Sequence, residues 1–347
     1  MTAAASGERE MRIARYYDNR SVRVETAERP GIGDGEVLVR VMACGICGSD
    51  ALEWFRVPKA PRILGHEISG VVARSRSDRY REGDRVVVRN QVPCGRCYAC
   101  EHGHHAVCED QVEIGPGGMA EYVRVPTEVV AAGMWPLAAA LSFAQGALAE
   151  PLACVLHSQR LAGIAAHHGV LVLGCGAFGL MHLQVARAAG VSRIVAVDGI
   201  VHRRQVAAEW GAATLSPGED VAAAVRAANG GRLADLVIVA TGAADALATA
   251  SSAVARHGTV LLFGAPDPDV ALPISLNQLF WRRELTVVSS YGAGDVDFAE
   301  SLALIEDGLV DPDRIISHVV PLSEVQKGFD LVTNPQESIK VVLDVAR

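Results

Sequence analysis

The stretch between residues 170 and 198 constrains the fold more than any other part of this chain. An apolar run at 170–173 leads into Gly174-Cys175-Gly176-Ala177-Phe178-Gly179. A helical stretch (180–189) follows, and a second apolar run (194–197) ends on Asp198. Glycine at 174 permits a tight turn, glycine at 176 lets the backbone approach a pyrophosphate, and glycine at 179 lets helix and strand pack closely. The helix N-terminus then faces phosphate charge. About twenty residues on, a carboxylate at the end of the next strand can accept from both ribose hydroxyls of an adenosine. Gly174, Gly176, Ala177, Phe178, Gly179 and Asp198 are therefore the candidate cofactor-binding residues. Asp198 favours NAD, because a carboxylate would repel a 2′-phosphate. Arg203 and Arg204 count the other way: arginine near that ribose can bind the phosphate of NADP. Alternatively they only begin the next helix, with Arg203 against the adenine.

The surrounding rhythm agrees. Apolar strands are expected at 236–240, 260–263 and 285–289, and helices at 203–210 and 244–256, which reads as a parallel sheet covered on both faces. Before about residue 130 the pattern is different. Short β-like runs (37–41, 70–73, 85–89) are separated by Gly, Pro and Asp turns, as in an irregular all-β unit. A helix at 298–307 and apolar runs at 315–320 and 339–345 close the chain. A length of 347 residues suggests two domains. The expected division is 1–155 as a β-rich, metal-binding catalytic domain, 156–293 as the dinucleotide domain, and 294–347 as a return to the first. Residues 1–10 read as a flexible tail.

The net charge of −8 argues against nucleic-acid binding, which needs a basic face. Residues 129–149 carry no charge, but Pro136, Gln145 and many alanines make them one or two buried helices rather than a membrane span. Eight cysteines without a secretory signal point to thiols and metal in a cytoplasmic protein.

Cys94, Cys97, Cys100 and Cys108 have the spacing C-x2-C-x2-C-x7-C. Four thiolates so close can wrap a tetrahedral zinc, and a closed shell leaves no position for substrate, so such a site is structural. Two disulfides or an iron–sulfur cluster are the alternatives. His102, His104 and His105 are spare nitrogen donors that read as surface residues. A second candidate combines Cys44, in CGICGSD, with His66 and Glu67, in GHE. A mixed Cys, His and carboxylate set suits a catalytic zinc with an open position. Cys44-x2-Cys47 could equally be a redox pair, and His66 a structural residue of a Gly-flanked turn. Glu150 in AEPLAC is either a helix-end carboxylate or a further ligand.

CGICGSD, GHE, GDRV (83–86), the four-cysteine lobe, EPLA and the strand-linked glycine motif occur in one order. In that order the chain resembles the zinc-containing medium-chain dehydrogenases, in particular the sorbitol, butanediol and threonine dehydrogenase branch. The resemblance runs from Met11 to the closing SHVVPLSEVQKGFDLV and KVVLDV. It implies a GroES-like β domain, built from both chain ends around a Rossmann domain, and a homo-oligomer of two or four chains. It also implies that Cys44, His66 and Glu67 hold a catalytic zinc, with Glu150 binding directly or through water and Cys47 not a ligand. The four cysteines match the family's structural zinc.

The implied activity is NAD-linked interconversion of a secondary alcohol of a polyol, cyclitol or aminocyclitol with its ketone. Zinc acts as Lewis acid and hydride passes to the nicotinamide. Ser49 corresponds to the hydroxyl that relays the alcohol proton. Many relatives carry a histidine three residues later; here that position is Leu52, which leaves the relay's exit open. The competing reading is an L-threonine 3-dehydrogenase or other amino-alcohol enzyme. A substrate carboxylate would then need a cation near the metal, such as Arg56, Lys59 or Arg62. A third reading, a non-catalytic nucleotide- or metal-binding protein, is disfavoured by retention of the ligand set.

Overall fold

The computed structural model describes residues 9–271 and 275–347. Most of the expected tail, residues 1–8, lies outside the described residues. Glu10 already opens the first strand and so does not belong to the expected tail.

In chain order the early strands are β1 (Glu10–Asp18), β2 (Ser21–Glu28), β3 (Val37–Ile46), β4 (Arg62–Ile63), β5 (Glu67–Ser75), β6 (Arg85–Arg89), β7 (Gln91–Val92), β8 (Val112–Glu113), β9 (Tyr122–Val125) and β10 (Met134–Pro136). Then come β11 (Gly169–Leu173), β12 (Arg193–Val197), β13 (Ala213–Leu215), β14 (Ala234–Val239), β15 (Val254–Leu262) and β16 (Thr286–Ser289). The last two are β17 (Ile316–Pro321) and β18 (Lys340–Asp344).

The chain forms two compact units. One holds the residues up to Pro151 with Gly294–Glu306 and Ile316–Arg347; the other holds Leu152–Ala293 and Asp307–Ile315. The C-terminal part is thus shared between them. Asp307–Ile315 stays with the second unit because Asp311 N donates to Gln184 Oε1 at 2.7 Å and Arg314 pairs with Glu209 at 2.9 Å.

In the first unit a mixed sheet runs β10-β6-β5-β3-β18-β17, with β9 also paired to β3. β18 lies antiparallel to β3, so the chain's last strand completes the sheet that its third began. Val39, Ile68, Val88, Met119 and Phe329 are among the buried side chains of its core. The uncharged stretch 129–149 does not form continuous helix. Thr127–Ala132 and Phe143–Ala147 are short helices, with β10 between them. Among the described residues no helix is long and apolar enough to cross a membrane.

In the second unit six parallel strands run β13-β12-β11-β14-β15-β16. β11 and β14 are each buried almost throughout, which their near-continuous Val, Ile and Leu sequences require. The strand order reverses direction at β11, where open parallel sheets of this kind leave a ligand crevice at the strands' carboxyl ends. Two short elements, β13 and the helix Val221–Ala228, were not expected from the sequence pattern. β15 also begins at Val254, inside the run expected to be helical to residue 256.

Candidate functional site

The register of β3 against β5 decides which cysteine meets the metal group. Cys44 pairs with Ile68, and Gly45 pairs with Glu67. Paired residues share a face and neighbours alternate, so Cys44 and Glu67 lie on opposite faces of the sheet. Cys44 is fully buried in the β core, where burial pushes its thiol well above its ordinary pKa. The expected grouping of Cys44 with His66 and Glu67 is therefore not the one the geometry brings together. The donor atoms of Cys47, His66 and Glu67 all lie within 4.8 Å of one another. Cys47, set aside on the family pattern, supplies the sulfur.

Glu67 is buried and holds one oxygen in a defined place. Its Oε1 accepts from Lys340 Nζ at 2.6 Å, and Lys340 also donates to the Ile46 carbonyl at 3.0 Å. Its Oε2 is buried without a hydrogen-bond partner. A buried carboxylate oxygen left bare is costly, and a cation in this group would satisfy it. Gly45 makes the room: a Cβ there would collide with the Glu67 carboxylate. His66 faces Asp50 through Nδ1, 3.6 Å from Asp50 Oδ1, an ion-pair distance rather than a hydrogen bond. Burial disfavours a charged His66. The charges of Asp50 and Cys47, a hydrogen bond to Cys47 and the charge of Glu150 outweigh that and raise its pKa well above the ordinary value. Such an anionic pocket calls for a cation. Glu150, in the first turn of the helix Ala149–Leu161, stands outside the close group, but its charge reaches both His66 and Lys340. The donor set and the bare oxygen fit a zinc ion with an open position.

Ser49 is tied to Arg56. Arg56 Nε donates to the Ser49 carbonyl at 2.9 Å, and its Nη2 reaches Ser49 Oγ at 3.3 Å and the buried Asp50 Oδ1 at 3.0 Å. Asp50 also accepts from Cys47 N at 3.2 Å. Asp50 and Arg56 thus brace the turn that carries Cys47. Sequence reasoning had not singled out Asp50, and had considered Arg56 only as a partner for substrate.

The four-cysteine lobe is also assembled. The sulfurs of Cys94 and Cys100 are 4.0 Å apart, those of Cys97 and Cys100 3.5 Å, and those of Cys97 and Cys108 3.7 Å. Four sulfurs each about 2.3 Å from one tetrahedral zinc would stand about 3.8 Å apart. All eight cysteines of the chain are free, which removes the disulfide alternative. The spacing is too tight for thiolates divided between the irons of a cluster. His102 stacks on Tyr98 and takes no part in the group.

At the end of β11 the glycine turn is formed as expected. Gly174 has φ +93°, and a Cβ there would crowd Thr241 and Ala240. A Cβ on Gly179 would collide with the Gly174 carbonyl, so helix Ala177–Ala188 packs against the turn only with glycine. Gly176 differs. A Cβ there would meet only Arg203 Nη1, at 3.6 Å, so the chain's own packing does not require glycine. The space leaves room for a ligand to approach the backbone. Asp198 is buried, with its carboxylate accepting from Cys175 N and from Ile200 N, each at 2.7 Å. Ala177 and Phe178 open the helix, and the Phe178 ring lies 5.0 Å from that of Phe263.

Comparison with known proteins agrees with this geometry. Residues 33–134 match the alcohol dehydrogenase GroES-like domain, and residues 177–307 match the zinc-binding dehydrogenase domain. An L-threonine 3-dehydrogenase of Bacillus velezensis is 34% identical, over 88% of this chain and 91% of that protein. This chain belongs to the zinc-containing medium-chain alcohol dehydrogenase family. The L-galactonate-5-dehydrogenase of Escherichia coli is also 34% identical, over 91% of this chain and 94% of its own length. Among solved structures, a zinc-binding dehydrogenase from Sinorhizobium meliloti bound to NADP superposes with a TM-score of 0.86 at 30% identity, covering 96% of this chain and 99% of that one. As a member of the family the chain is an oxidoreductase acting on alcohols, with zinc and a nicotinamide dinucleotide as cofactors.

Proposed function

We propose that this dehydrogenase interconverts a secondary alcohol of a polyhydroxylated substrate with its ketone, using a zinc held by Cys47, His66 and Glu67 and a nicotinamide bound at the Gly174–Gly179 turn. The observation that carries this is the group itself: one thiol, one imidazole and one buried carboxylate oxygen without a partner, within 4.8 Å. Zinc bound there would act as a Lewis acid on the substrate oxygen. Cys47, His66 and Glu67 orient it, with Asp50 and Lys340 fixing the last two from behind. Ser49 Oγ would accept the alcohol proton as its own hydroxyl proton passes on, so that it relays without keeping a charge. Its neighbour Arg56 cannot carry that proton onward, because a guanidinium stays protonated. Arg56 instead fixes the hydroxyl's direction. A second zinc closes the lobe of Cys94, Cys97, Cys100 and Cys108.

NAD is the favoured cofactor, because the buried Asp198 stands where the ribose hydroxyls bind. Arg203 at the edge of the glycine turn supports NADP as the second reading. Polyols, cyclitols and aminocyclitols are the first substrate class. L-threonine is the second, favoured by Arg62, which lines a cavity together with His66. Eight free thiols suit a reducing compartment such as the cytoplasm.

The test is NADH and NADPH formation by the zinc-loaded protein over sugar alcohols, cyclitols, aldonates, aminocyclitols and threonine. Turnover that vanishes with Cys47→Ala supports the reading. Full zinc loading with no turnover on any of these, in either direction, overturns it.

A further inference from the structure

A cavity in the first unit borders the metal group on the side of Asp50 and His66. Among the residues that line it are Arg56, Arg62, Asn90 and Glu113, so its polar lining beyond the metal group is mostly charged.

The structure sorts the three cations near the metal motif. Arg56 is committed to Asp50 and Ser49. The Lys59 ammonium lies 3.7 Å from the centre of the Phe55 ring and does not line the cavity. Arg62 is partly buried, lines the cavity together with His66, and makes no side-chain hydrogen bond or ion pair among the described residues. Its backbone is held firmly. It pairs with Tyr16 in β4, and the residues just after it are clamped by Gly118 N to Gly65 O and Met119 N to Leu64 O, both 2.9 Å. A Cβ on Gly117 would collide with the carbonyls of Ile63 and Leu64, so that wall closes only around glycine. A site on a rigid element can hold a substrate group in one place.

We propose that Arg62 receives a carboxylate of the substrate, so that the preferred alcohol is a hydroxy acid rather than a neutral polyol or cyclitol. This rests on the dehydrogenase reading above and moves hydroxy acids ahead of the neutral polyols and cyclitols named there. A half-desolvated guanidinium without a partner is poorly satisfied, and its planar fork matches a carboxylate with two parallel hydrogen bonds. Asn90 adds an amide that can serve a neighbouring hydroxyl. Glu113, exposed at the rim, separates two sources of the same carboxylate. It would favour an amino acid, whose ammonium lies beside the carboxylate, over a polyhydroxy acid.

The experiment compares wild type, Arg62→Gln and Arg62→Lys on matched probes: L-galactonate against galactitol, and L-threonine against L-threoninol, in which CH2OH replaces the carboxylate. The acids should be the better substrates. Arg62→Gln should lower kcat/KM for them roughly 10–100-fold, mainly through KM, and leave the neutral probes within about twofold. Arg62→Lys should restore part of the loss. Binding is read separately, as protection by each acid against heat unfolding with NADH present. Protection of wild type but not of Arg62→Gln supports the proposal even if no alcohol is turned over, an outcome that would sink only the dehydrogenase reading. Equal use of acids and neutral probes, or equal protection of both proteins, overturns the assignment of Arg62. A loss on L-threonine alone with Glu113→Gln selects the amino-acid source; no effect of that variant on either acid selects the polyhydroxy acid.

Discussion

Replacing Cys44 and Cys47 separately by alanine should give opposite defects, because the two thiols stand on opposite sides of one sheet. Cys44 is fully buried in the β core. Its loss removes one heavy atom from close packing and should cost about 1–2 kcal/mol. For a unit of this size that lowers Tm by roughly 2–8 °C. Zinc content should stay at two ions per chain, and kcat/KM should change little. Cys47→Ala removes a donor from the close group with His66 and Glu67. Zinc should fall from two ions to one, and kcat/KM by at least roughly a hundredfold, since Lewis-acid stabilisation is worth several kcal/mol. Elemental analysis of the dialysed proteins, steady-state kinetics and a thermal melt read the three quantities together. Zinc lost from Cys44→Ala and retained by Cys47→Ala would refute the face assignment, and with it the role given to Gly45.

Three further outcomes are expected. Gly176→Ala should weaken NADH binding at least about tenfold while leaving the unliganded Tm within about 2 °C, whereas Gly179→Ala should lower that Tm by several degrees, since its Cβ meets the chain's own backbone; cofactor titration and melting separate the two. Lys340→Met leaves the buried Glu67 charge without its partner and should cost about 3–5 kcal/mol, with much of it recovered in the double variant with Glu67→Gln; no loss of stability in urea would mean the pair is not buried as described. His182 is buried with its pKa pushed down to about 3 by desolvation. The unfolded chain binds a proton there near the ordinary value of about 6.5, so stability from this group is complete above that pH and falls by about 1.4 kcal/mol per unit as pH drops toward 3. Urea midpoints between pH 7 and 4 for wild type and His182→Met should differ in slope by that amount, and parallel slopes would contradict it.

What could be read from the sequence was carried by local spacing. The glycine turn between β11 and its helix, the acid closing β12 and the four-cysteine lobe each lie within a short stretch, where chain geometry leaves few alternatives. His66 and Glu67 were legible for the same reason. The cysteine was not. Counting alternately from the buried Val37, Val39 and Val41 puts residues 43, 45 and 47 on the core face and leaves Cys44 facing the other way. The register between β3 and β5 shifts between Val41 and Ala43. That bulge reverses the parity, so Cys44 and Ile46 join the core. Nothing in CGICGSD announces the shift, because a bulge depends on the partner strand.

Distance along the chain hid the rest. Lys340 lies 273 positions from Glu67 and reaches it only because β18 pairs with β3 beside Ile46. An isolated lysine in KVVLDV reads as a strand-end charge. In the fold it is nine-tenths buried and answers one oxygen of Glu67, which leaves the other oxygen for the metal group. Without Lys340 the buried Glu67 carboxylate would lose the one hydrogen-bond donor that the fold aims at its Oε1. The last strand of the chain therefore does more than close the sheet. It orients a group whose other members lie in the first seventy residues, and so a C-terminal lysine belongs to the same unit as the cysteine, histidine and glutamate it never neighbours in sequence.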